Sequence, residues 1–168
     1  MNNKKLRSWT TYDSGKNDYI KVAKTFGNFS NFVKEYYKQI RLLAKSGLFD
    51  TIGHIDLIKK YNYKKIFFDE EAQWYKNEVM KTLKQIAQSN LSIEINTKGL
   101  VKECRQQWPS YWIIQEACKL KIPITIGSDR HLGSEDLRYL DTAIQLAKKA
   151  GYDQIIKYAK RKIVEIEI

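Results

Sequence analysis

The chain has 168 residues, 43% of them hydrophobic and 12% aromatic, enough for one buried core and short for two. Its 30 lysines and arginines outweigh 19 acidic residues to leave a formal charge of +11. Such a surface attracts anions, but the lysines are strewn over the whole length as a solvated surface, so nucleic acid is not the expected partner. No apolar run reaches the roughly 20 residues that span a bilayer, and no apolar secretory segment follows the lysine-rich N-terminus, which excludes a membrane protein and points to the cytoplasm.

Residues 1–28 are polar and poorly periodic, with Asp13, Ser14, Gly15, Asn17 and Asp18 as turn formers, and read as an irregular arm. Ser30 is the expected N-cap of a helix over 31–45, with Phe32, Tyr36, Ile40 and Leu43 as its apolar stripe and Gly47 as its stop. A strand over 48–53 then leads to His54. The next helix spans 69–89, with acidic residues in its first turn and Trp74, Val79, Leu83 and Ile86 inward.

Residues 91–96 alternate as a strand, and Pro109 stands at the first position of a helix running to Leu120. Cys104 and Cys118 have neither metal-site nor disulfide spacing and read as reduced structural thiols. The β-branched run from Ile122 is a buried strand that ends at Ser128, Asp129, Arg130 and His131. A helix follows over 134–150, capped by Ser134 and stopped by Gly151, and a last strand over 162–168. Helices alternating with strands predict an α/β fold with a parallel sheet, open or closed into a barrel.

In such folds the loops after the strands gather at one face, where active sites form. That face would collect His54 and Asp56, Glu94 and Asn96, then Asp129, Arg130 and His131. An Asp-x-His pair can reach one divalent ion, and imidazole with carboxylate suits zinc, manganese or iron. Two bridged ions would activate water and neutralise a phosphoryl group, which Arg130 could grip with two nitrogens. Set against this, an isolated strand-end histidine is commonly structural, Asn96 before Thr97 could only be turning the chain, and the alternation does not say whether Glu94 faces an interior or solvent.

Three stretches occur in order: Phe49-Asp50-Thr51-Ile52-Gly53-His54-Ile55-Asp56, Glu94-Ile95-Asn96-Thr97-Lys98-Gly99-Leu100 and Gly127-Ser128-Asp129-Arg130-His131. Together they resemble the PHP (polymerase and histidinol phosphatase) family, and within it the histidinol-phosphate phosphatases of histidine biosynthesis. The resemblance implies a distorted seven-stranded TIM-like barrel with a divalent-metal cluster at the strand ends. His54, Asp129 and His131 would be metal ligands, with Asp129 and His131 at the catalytic centre. Arg130 stands where the family has a small residue, which suggests a contact with the phosphate of a small substrate or a more occluded metal. Asn96 and Lys59 are weaker substrate candidates, and Lys59, like Lys60, also reads as a surface charge.

The family's first motif, a His-x-His pair, and its further ligands would lie upstream of residue 1. The expectation is therefore that residues 29–168 form the C-terminal part of a barrel domain whose N-terminal strands are absent: a fragment, one chain of a split enzyme or a degenerate protein. Such a half exposes sheet edges, so it should pair with a missing N-terminal half or form a homodimer. The rival expectation is a catalytically inactive remnant that binds protein or nucleic acid; a nuclease-like member of the same family ranks third.

Overall fold

The computed structural model of the protein describes residues 15–129 and 139–168. Among these the order is α1 (Lys16–Thr25), α2 (Phe29–Lys45), β1 (Thr51–Ile52), α3 (Gln73–Gln88), β2 (Ser92–Asn96), α4 (Tyr111–Lys119), β3 (Ile124–Gly127), α5 (Leu140–Ala150), β4 (Gln154–Ala159) and β5 (Lys162–Glu167). Strands β1, β2 and β3 lie side by side in that order and are all parallel, with Thr51 opposite Ser92 and Ile93 opposite Ile124. A parallel return needs a long crossover, and α3 and α4 supply the two that this sheet uses.

Strand alternation puts Ile52, Ile93, Ile95 and Ile124 into the core, each at most 8% exposed, against Val79, Leu83 and Ile86 of α3 and Ile113, Ile114 and Ala117 of α4. Burying one such side chain contributes about 1.5–3 kcal/mol, so this layer fixes the register of the sheet. The result is an α/β fold on an open sheet: three strands do not close a barrel, and β1 and β3 form its edges among the described residues.

Several expectations change. The arm read over 1–28 contains α1, whose Tyr19, Val22 and Ala23 are buried. Turn-forming residues masked it, yet Gly15 and Asp18 sit at its start, where a cap and an acidic side chain suit the helix dipole. Tyr19 meets Phe29, Phe32, Tyr61 and Phe67 at ring separations of 5.3–5.6 Å and donates its hydroxyl to the Ile58 carbonyl at 3.0 Å. Packing against distant aromatics therefore holds a helix that propensity alone leaves marginal.

Helix α2 is capped by Asn28 and not by Ser30; the Asn28 side chain accepts from the Asn31 amide at 2.8 Å. Leu43, expected on the inner stripe, is 47% exposed. Helix α3 starts at Gln73, later than predicted, because Asn62 organises the preceding turn: it accepts from the Phe67 and Phe68 amides and donates to Glu70. Asp69, Glu70 and Glu71 thus precede the helix. Pro109 precedes the cap residue Ser110 and is not the first helical residue. Gly151 stops α5 in the left-handed region at φ 106°, while the predicted start at Ser134 lies outside the described residues.

The largest correction is at the C-terminus. The last strand does not join the parallel sheet; β5 pairs antiparallel with β4, which the sequence reading missed. A two-residue connection permits only an antiparallel partner. Its residues, Lys160 and Arg161, have φ of 50° and 62°, which suits the right-handed strand twist, but they lack the Asn-Gly signature by which such turns are recognised. Lys160→Asn, better tolerated at positive φ, is expected to raise stability by about 0.5 kcal/mol, read from urea unfolding midpoints.

This hairpin seats on the N-terminal ends of the parallel strands. Tyr158 donates to the Asp50 carbonyl at 2.8 Å, Arg161 forks onto the Asp50 carboxylate at 3.1 and 3.2 Å, and Tyr152 donates to the Ile122 carbonyl at 2.9 Å. The opposite, C-terminal ends are left to the loops that carry the candidate site.

Candidate active site at the strand C-termini

One face of the sheet is isoleucine; the other is Thr51 and Gly53 of the first strand and its exit, Ser92, Glu94 and Asn96 of β2, and Thr125 and Gly127 of β3. That register settles where Glu94 lies. Its carboxylate rests across the sheet between two glycines: a Cβ on Gly127 would come within 1.9 Å of Oε1, and one on Gly53 within 3.3 Å of Oε2. The carboxylate thus occupies the space a side chain at Gly127 would take, and it lies close against Gly53.

His54 leaves β1 with φ 27°, and Asp129 leaves β3 with φ 47°. Seven other non-glycine residues among those described share the left-handed region, Lys160 and Arg161 of the hairpin turn included, so these φ values mark where the chain turns out of the strands and do not by themselves mark a site. The His54 amide donates to Glu94 Oε2 at 3.2 Å, and its ring meets the Trp108 ring edge to face, 6.2 Å apart at 82°. Trp108 is itself pinned to Asn96 by reciprocal backbone hydrogen bonds of 2.6 and 2.9 Å.

His54 and Asp129 thus stand at the ends of β1 and β3, one to each side of β2. Imidazole and carboxylate are donors that zinc, manganese and iron accept together, so they fit such an ion in kind. Among the described residues no three His, Cys, Asp or Glu side chains group closely enough to hold a metal. The remaining sequence candidates, Arg130 and His131, lie outside the described residues.

Of the other candidates, Asn96 takes the turn role that the sequence also allowed, while Lys59 and Asp56 are placed differently from expectation. Asn96 is 1% exposed, and its side-chain oxygen accepts from the Lys98 amide at 2.9 Å; it caps the turn Thr97–Val101. Lys59, read also as a surface charge, is 1% exposed and pairs with Asp56 at 2.9 Å. Its ammonium also reaches Gln106 at 3.2 Å and the Ser110 hydroxyl. Asp56, expected beside His54 on the face, turns into the core at 0% exposure and accepts from the Ser110 amide and hydroxyl at 2.9 and 3.0 Å. A 3-10 turn over Leu57–Lys59 causes this inversion, bringing the two charges onto one side.

Sequence reasoning missed a basic rim. The loops after β1 and β2 bring Lys64 and Arg105 to the Tyr63 ring at 5.6 and 5.8 Å, beside a cavity of about 370 Å³ lined by Lys16, Tyr63, Lys64, Ile66, Glu103 and Arg105. Arg105 lies some forty positions from Tyr63 in the chain, so no local pattern announced the cluster. Its charge favours an anion approaching the C-terminal face.

No family model matches the chain. It is 28% identical over 128 residues to a Deinococcus radiodurans protein assigned as a histidinol-phosphatase, covering 76% of this chain and 46% of that one. A histidinol-phosphatase of Bacillus subtilis is 26% identical over 129 residues, 74% of this chain and 47% of the relative. Among solved structures, a Listeria monocytogenes protein assigned as a histidinol phosphatase superposes with a TM-score of 0.66 at 25% identity, over 76% of this chain and 51% of that chain. The chain is thus similar to histidinol-phosphatases and spans about half the length of the curated relatives it matches.

Proposed function

We propose that this chain carries part of the active site of a metal-dependent phosphomonoester hydrolase of the PHP histidinol-phosphatase type, acting on a small phosphorylated substrate in cytoplasmic histidine biosynthesis. The observation that carries the reading is the placement of His54 and Asp129 at the C-terminal ends of β1 and β3, one to each side of β2. In this reading the three parallel strands are a segment of a distorted TIM-like barrel. The similarity to histidinol-phosphatases supports the substrate class.

His54, Asp129 and His131 would hold a divalent ion, manganese, zinc or iron. Such an ion supplies Lewis-acid polarisation of the phosphoryl oxygen and lowers the pKa of water beside it. Arg130 follows Asp129 directly and would grip the phosphate with two guanidinium nitrogens, while the rim around Tyr63 draws the anion in. Lys59 and Asn96 stay with the scaffold in this reading, since their polar atoms already hold the chain together. Three ligands fall short of a two-ion site, so further donors would come from outside the described residues.

The test is release of inorganic phosphate from histidinol phosphate by the purified protein. Turnover should stop with EDTA and return with manganese or zinc. A folded sample that binds neither ion calorimetrically and releases no phosphate would overturn the reading.

A second reading has one specific observation in its favour, the cationic pair on exposed Tyr63. Single-stranded nucleic acid binds by aromatic stacking inside positive grooves. If the chain is an inactive binding module, its affinity for an oligonucleotide should fall steeply with salt as counterions are released, and Tyr63→Ala should weaken it.

A further inference from the structure

We propose that Glu94 is a positioning residue for His54: its carboxylate fixes the His54 backbone in the left-handed conformation that turns the imidazole out of β1 toward Trp108. The inference rests on the reading of His54 as a site residue and adds to it the group that sets its geometry. Glu94 never needs to touch substrate.

Four observations converge. First, a histidine at φ 27° is held against its own backbone preference, so something must oppose relaxation. Both backbone polar groups of His54 are engaged: the amide donates to Glu94 Oε2 at 3.2 Å and the carbonyl accepts from the Leu57 amide at 2.9 Å. Second, the residue after it, Ile55, is fully buried in the core, so the turn is anchored on its far side. Among the described residues, Glu94 is the side chain that reaches the His54 amide from another strand.

Third, the slot is built for this one side chain. A methyl group at Gly127 would overlap Glu94 Oε1, and one at Gly53 would press on Oε2. Two neighbouring strands thus give up their side chains at the level of one carboxylate. Fourth, the ring end is prepared as well. Gly99 leaves room for Trp108, since a Cβ there would stand 2.0 Å from the Gln106 carbonyl and 3.0 Å from the indole.

A half-buried carboxylate costs desolvation that an apolar residue would avoid. A charge-assisted hydrogen bond to a strained amide is what it returns. A sheet needing only packing at this point would have no use for it.

The experiment is amide NMR of the folded chain, followed at the His54 resonance. In Glu94→Ala the His54 amide should move upfield and exchange with solvent at least about tenfold faster, the size expected when one hydrogen bond to a charged group is lost. Glu94→Gln keeps an acceptor oxygen and should leave the resonance near its native position. Gly127→Ala should displace the carboxylate and reproduce the Glu94→Ala shift, and the double variant Glu94→Ala/Gly127→Ala should move it no further.

A general loss of stability would spread over many resonances and would not cancel in the double variant. An unmoved His54 amide in Glu94→Ala, or a native one in Gly127→Ala, overturns the proposal. If Glu94→Ala does not fold, Glu94→Gln and Gly127→Ala decide between the same two outcomes. The readout needs no metal or turnover, so a chain without phosphatase activity can still show the coupling.

Discussion

Lys59→Met is expected to destabilise the folded chain by about 3–5 kcal/mol, the cost of leaving a buried charge without its partner. Asp56 is completely buried, and one of its oxygens has no hydrogen-bond partner among the described residues. Lys59 supplies the compensating charge at 2.9 Å, while Ser110 supplies its amide and hydroxyl. Nearby, Tyr37 and Tyr75 meet hydroxyl to hydroxyl at 3.0 Å. Burial pushes both hydroxyls far above the ordinary tyrosine range, with the Asp56 charge adding to it, so neither ionises to set a second negative charge near the carboxylate.

Domains of this size have about 5–15 kcal/mol of stability in total, so the single variant should approach unfolding. Lys59→Met with Asp56→Asn removes both charges and should recover a large part of the loss, since a buried ion pair contributes little beyond its mutual compensation. Urea unfolding of the two variants checks this. A loss below about 1 kcal/mol for Lys59→Met would place it with exposed pairs and contradict the burial.

The second large effect is on activity and leaves the fold alone. Asp129→Asn keeps the shape of an exposed side chain at the end of β3, and surface changes of that kind stay within about 0.5 kcal/mol. If Asp129 is a ligand, kcat/KM for histidinol phosphate should fall by at least about 100-fold, because even groups that only support metal ligands cost 10–100-fold when removed. A hundredfold loss corresponds to about 2.7 kcal/mol of transition-state stabilisation. His131→Ala should behave alike. Phosphate-release kinetics beside thermal unfolding separate the cases: a stable variant that retains activity removes Asp129 from the site, and an unstable one would make it structural.

Lys59 and Asp129 show why the two kinds of residue were unequally legible. Asp129, His54 and Glu94 could be placed on strands or at their ends from the sequence because each follows or sits within a β-branched run, and a strand that ends in a polar cluster is a local pattern. Lys59 looked like one more lysine in a basic chain; its burial depends on Gln106 and Ser110, which come from the far side of β2. In the same way Asn96 carried the look of a substrate contact, and only the turn Thr97–Val101 shows its amide oxygen committed to Lys98.

By itself the sequence determined the elements whose signals are local: the amphipathic stripes of α2 and α3, the alternation of β2, the left-handed stop at Gly151, and the order in which His54, Glu94 and Asp129 meet one end of a parallel sheet. The tertiary structure alone decided what depends on partners distant in the chain. Aromatic rings from α2 and the loop after β1 made a helix of α1. A turn without glycine folded β5 back onto β4, and two glycines on neighbouring strands opened the space that Glu94 fills. Periodicity reports the face that one element turns toward its surroundings, but burial, charge pairing and strained backbone are properties of the contacts, which exist only after the chain has closed on itself.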